Sequence, residues 1–176
     1  MIIESIKSEY ERYKSLAEGA ISQVKDDDLH KKLGDDDNSI AVIMNHLSGN
    51  FKSRFTNFLT EDGEKSWRDR DGEFDERMES RARLLERWEE SWKILYDQID
   101  ALKDSDLGKM IKIRGKELNV CDALQRSLAH ASYHVGQIVL MARVFAGSKW
   151  QSLSIPRGKS REYNLNPTKE RIDNKP

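Results

Sequence analysis

One stretch, residues 123–145 (ALQRSLAHASYHVGQIVLMARVF), limits the fold of this chain more than any other. Leu124, Leu128, Ala131, Val135, Ile138, Val139, Ala142 and Phe145 recur at helical spacing, which predicts an amphipathic helix over about 121–145. His130 and His134 are one turn apart on it and project from the same side. They fall on the flank of the apolar stripe, level with Ser127, Gln137 and Met141. Two imidazoles at the edge of a core are half of a metal site.

The same period recurs earlier in the chain. Ile2, Ile6, Tyr10, Tyr13, Leu16, Ala17, Ala20, Ile21 and Val24 mark a first helix, ended by the acidic run 26–28. A second helix, about 40–59, has a core face of Ile40, Met44, Leu47, Phe51, Phe55 and Phe58, with Asn38 or Ser39 as its N-cap. His46 and Asn50 lie together on its flank, and Arg54 continues that ladder onto the apolar side. A third helix over 76–101 carries Trp88 and Trp92 among its apolar positions. Residues 60–75 hold ten charged residues and two glycines, too polar for a core, so they read as a long loop pinned by Trp67 or Phe74. Met110–Ile113 and 118–120 flank Arg114-Gly115-Lys116, a small hairpin or an extended crossover. Asn119 or a neighbour caps the last helix.

Four such helices with long connections predict an all-α four-helix bundle with a non-helical C-terminal tail. The bundle and a strap built on Trp150, Leu153 and Ile155 are expected over 1–165, and a mobile tail over 166–176. Helix order and handedness are left open. Lys plus Arg number 30 against 31 for Asp plus Glu, a net charge of −1, so no basic excess exists to neutralise phosphates, and nucleic acid is not an expected partner. No run of 18 apolar residues and no signal-peptide pattern is present, so a cytoplasmic protein without a membrane span is expected. Cys121 is the sole cysteine and cannot form an internal disulfide. At a helix start it reads as a packing residue.

Of four histidines, His46, His130 and His134 sit on the flanks of two core helices, while His30 lies in an acidic connection and reads as a solvated loop residue. Facing helices of a bundle build metal sites in this way. Three imidazoles with open positions suit zinc, nickel or ferrous iron and mark a catalytic rather than a structural site. The pair could instead be half-buried histidines bonded to neighbouring carbonyls or hydroxyls. A metalloprotease is excluded, because Ala131 stands where the glutamate of HExxH would be.

NHLSGNFKSRF, LAHASYHVGQIV and WQSLSIPRGKS together resemble the DinB-like superfamily, and more closely a branch related to the YfiT-type metal-dependent hydrolases. The resemblance runs from the first helix to about Asn164 and implies an up-up-down-down bundle, often a homodimer. It implies a divalent metal held by His46, His130 and His134. It also implies a metal-dependent hydrolase or a thiol S-transferase with a low-molecular-weight thiol cosubstrate and a small-molecule substrate. The competing reading is a non-catalytic metal-binding stress-response or interaction protein. Asn50 and Gln137 are candidates to orient the ligands, or simply solvated amides. Arg54 is a candidate anchor for a substrate carboxylate, or half of a structural salt bridge. Residues 60–75 are a charged surface loop or a lid. Residues 154–160 are a strap, or an anion site.

Overall fold

Local capping sets the helix ends in the structure, a computed structural model that describes residues 2–167. The elements are α1 (Ile2–Ile21), α2 (Ile40–Phe55), α3 (Arg81–Ala101), β1 (Met110–Ile113), β2 (Lys116–Asn119), α4 (Val120–Ala146) and a one-turn α5 (Ser160–Tyr163). Ser39 and Asn119 cap α2 and α4 by accepting from Val42 N and Asp122 N. The third helix starts at Arg81 rather than near 76, because Ser80 provides its cap. Asn57, at φ 51°, turns the chain out of α2 sooner than the apolar pattern suggests. The tail is not wholly non-helical, since α5 forms with a Lys159–Glu162 pair across one turn. Beyond 167 the expected mobile tail lies outside the described residues.

The two strands pair antiparallel with Ile113 opposite Lys116. Arg114 and Gly115 thus form a two-residue turn with φ of 55° and 70°, the mirror-image turn that matches strand twist. Asp62 clamps this turn by accepting from Arg114 N at 2.8 Å and Gly115 N at 2.7 Å.

Cross-helix pairs give the helix directions. Lys7–Asp100 (2.5 Å) and Lys14–Glu89 (2.9 Å) make α1 and α3 antiparallel. Lys52–Glu90 (3.1 Å) and Phe58 N to Gln98 Oε1 (3.4 Å) make α2 and α3 parallel. Tyr10 Oη donates to Leu124 O and Gln23 Nε2 to Gln151 O, so α1 runs with α4. The order is therefore up-down-down-up, which corrects the up-up-down-down order implied by the resemblance. The physical reason is the first connection. Its 3₁₀ turn Asp27–His30 buries Leu29 against the bundle and returns the chain at the same end. Residues 56–80 must then run back along a helix of roughly 24 Å, at 1.5 Å per residue, and this return path crosses the site.

Tyr10, Phe51, Phe55, Trp88 and Trp92 interlock edge to face, with centroids 4.8–6.5 Å apart. The two tryptophans are fully buried, so they belong to the core of one chain. Trp150 and Leu153 pack onto the same core. Among the described residues no helix is long and apolar enough to cross a membrane.

Asp104 ties the start of α1 to the end of α3 by accepting from Ile2 N (3.1 Å) and Ile3 N (3.0 Å). Those bonds, made to two otherwise orphaned donors, hold its carboxyl down at about 2, from an ordinary 3.8. A depressed folded value stabilises above the unfolded value and is lost as pH falls through the folded one. Asp104→Asn should therefore unfold at lower urea than wild type at pH 7, with the gap narrowing between about pH 4 and 2. A gap constant across that range would contradict this assignment.

Candidate metal centre

α2 is buried on nearly every side, so each polar group it carries must be satisfied inside the protein. His46 lies near its middle, facing α4. His130 and His134 meet it from α4, and one ring nitrogen of each of the three lies within 4.8 Å of the others. His46 Nε2 and His130 Nε2 are 3.1 Å apart, close to the separation of about 3.3 Å expected for two imidazoles sharing a tetrahedral ion at roughly 2.0–2.1 Å. Phe74 covers the His46 ring at a centroid distance of 4.7 Å.

Second partners set the ring orientations. Glu73 Oε2 lies 2.9 Å from His46 Nδ1. Glu73 is itself gripped by Arg68, which donates from Nε at 2.7 Å and Nη2 at 2.8 Å. Burial alone would raise the Glu73 carboxyl, but Arg68 and His46 outweigh it and hold it below the usual range. The ionised carboxylate accepts from His46 Nδ1–H, leaving the Nε2 lone pair for the centre. Gln137 Oε1 lies 2.7 Å from His134 Nδ1. That amide oxygen likewise takes the Nδ1 proton and turns Nε2 inward. His134 Nε2 is buried and has no hydrogen-bond partner, as is His130 Nδ1. Burial, with His134 and His46 adding, pushes His130 down to about 3. Burial pushes His134 down to about 4 against the opposing bond to Gln137. Both are neutral at pH 7, the form that binds metal. A donor set of three imidazoles, two with an orphaned buried nitrogen, fits a divalent transition metal.

Asn50 and Arg54 lie further along α2, on a cavity of about 260 Å³ that opens beside His46 and His130. Among the described residues Asn50 bonds to no histidine; Glu73 holds His46 instead. Arg54 donates to Gly63 O and to Glu64 Oε2. His30, half-buried, donates from Nε2 to Glu79 O at 2.9 Å, so it pins the 76–80 segment rather than sitting in solvent.

Periodicity could not find Glu73 or Arg68, because both lie in the return loop; of the two aromatic pins expected there, Phe74 meets His46 and Trp67 is exposed. A signal did exist in α2: Gly49 sits in mid-helix, where alanine is ordinarily favoured by about 0.8–1 kcal/mol. A Cβ built on Gly49 would overlap the Glu73 carboxylate, which Arg68 and His46 prevent from moving aside. Gly49→Ala is thus expected to destabilise by about 1–3 kcal/mol, the range for overpacking, and to weaken metal binding. Urea unfolding with metal titration checks both, and a stabilised variant would refute the contact.

The family model described as "protein of unknown function (DUF1572)" matches residues 1–159, and the chain belongs to that family. Comparison with curated proteins and with solved structures returned no match.

Proposed function

We propose that this protein is a metal-dependent enzyme of the DinB-like superfamily, a thiol S-transferase or hydrolase, with a divalent ion held by His46, His130 and His134. The observation that carries this reading is the convergence of the three rings with a buried, partnerless His134 Nε2 pointing among them. An ion held by these rings would supply Lewis acidity and stabilise a small thiol as its thiolate. Glu73 and Gln137 hold the Nδ1 protons and so present Nε2 lone pairs before any ion arrives. Glu73 is bound to the outer nitrogen of His46 and does not close the site as a fourth ligand. The adjoining cavity leaves room for substrate, which supports a catalytic over a bracing role. A cytoplasmic homodimer belongs to the same proposal through the resemblance.

The test is metal analysis of tag-free protein, followed by a screen of electrophiles with several low-molecular-weight thiols. About one equivalent of zinc, nickel or iron is expected, with thiol consumption above that of His46→Ala. No metal after incubation with all three would overturn the reading. Metal without turnover would favour the non-catalytic alternative.

A further inference from the structure

The cavity beside the histidines carries an unusual charge. Arg54, Arg70, Arg114 and Arg126 line it, and no aspartate or glutamate does. One carboxylate serves two of them: Glu64 Oε2 accepts from Arg54 Nη1 at 3.0 Å and from Arg114 Nε at 3.0 Å. Asp71 comes no nearer than 3.9 Å to Arg70 and is fully exposed, so solvent screens that pair. Arg126 has neither ion pair nor hydrogen bond among the described residues. Phe55, Phe58 and Ile113 form apolar wall, which concentrates the field of the arginines within the cavity. Arg54 registers that field. Burial lowers its pKa, and Arg68 and Arg114 lower it further against the pull of Glu64.

Arg54 is already engaged by Gly63 O and Glu64, so it is not the free anchor for an acid group. That role falls to Arg126 and Arg70, whose charges lack a close carboxylate. At about 260 Å³ the cavity is smaller than the roughly 300 Å³ at which drug-sized ligand pockets begin. A metabolite-sized molecule fits it.

We propose that the substrate is a small organic anion whose carboxylate or phosphate group is held by Arg126 and Arg70 while its other end meets the histidine centre at His46 and His130. This rests on the metal reading above and adds the substrate class to it. It also reconciles a near-neutral chain with an anion site, because the positive charge is local to one cavity.

Zinc-loaded full-length protein, titrated calorimetrically with two metal-binding probes, tests the proposal. One probe is succinic monohydroxamate, and the other is its terminal amide, equal in size and uncharged at the far end. The acid is expected to bind about tenfold or more tighter, the scale of a charge-assisted hydrogen bond. Arg126→Gln should remove most of that preference, and adding Arg70→Gln the rest. Zinc content and affinity for the amide probe should stay unchanged. A second pair bearing phosphate in place of carboxylate would tell the two acid groups apart. Equal affinities for acid and amide, or no binding of either to zinc-loaded protein, would overturn the anion site and leave the metal reading standing. A preference that survives both substitutions would overturn the assignment to these arginines. Failure to take up zinc would overturn the metal reading and this proposal with it.

Discussion

His134→Ala is expected to leave purified protein with little or no bound metal, and to weaken affinity at least about 100-fold. That figure is the upper end of the cost of losing an outer partner of a ligand, and here a ligand itself is lost. Three imidazoles become two, and the Gln137 bond that turned the third ring inward has nothing to orient. The apoprotein should tolerate the change. His134 is buried with its Nε2 unpartnered, so removing the ring also removes an unsatisfied polar atom, which offsets part of the packing loss. The diagnostic result is therefore a pair of melting curves for each protein, with and without zinc. Wild type should gain stability with zinc by mass action. The variant should melt near wild-type apoprotein and gain nothing. Undiminished metal content in the variant would remove His134 from the ligand set.

The features legible in the sequence were those repeating along one helix. The flanks carrying His46, His130 and His134, the caps at 38–39 and about 119, and a turn within 114–116 each depend on neighbours a few residues away. Helix direction was not legible in this way, because nothing within α1 or α2 records which end the connection returns to. That information lies in the burial of Leu29 and in ion pairs spanning many residues, such as Lys7–Asp100. Glu73 was hidden for a related reason. Residues 60–75 of the return loop carry ten charged residues without periodicity, and only the fold distinguishes the carboxylate that meets His46 from those in solvent. Arg54 shows the converse. Its place on an apolar flank implied a partner, but a nearby carboxylate and a substrate satisfy that requirement equally well in one dimension.

Removing the Glu73 carboxylate should affect stability and metal binding together, and the two effects can be separated. Glu73→Ala strands the Arg68 guanidinium, whose side chain is 2% exposed and whose Nη1 already lacks a partner. Breaking a buried pair from one side costs about 3–5 kcal/mol. Surface ion pairs of this chain, such as Lys93–Asp97, lie near the 0–1 kcal/mol typical of exposed pairs, so the difference is large enough to identify the pair by urea unfolding. His46 loses the acceptor that fixes its tautomer, so metal affinity should fall by about 10–100-fold as well. The double change Arg68→Met with Glu73→Leu removes the stranded charge and replaces both groups with apolar volume. Such replacements of buried pairs are often neutral or stabilising. The double variant should regain most of the lost stability and none of the lost metal affinity. If metal affinity returned with stability, Glu73 would act only by holding the loop in place. If stability did not return, the Arg68–Glu73 pair would be supporting the return loop through contacts that apolar side chains cannot replace.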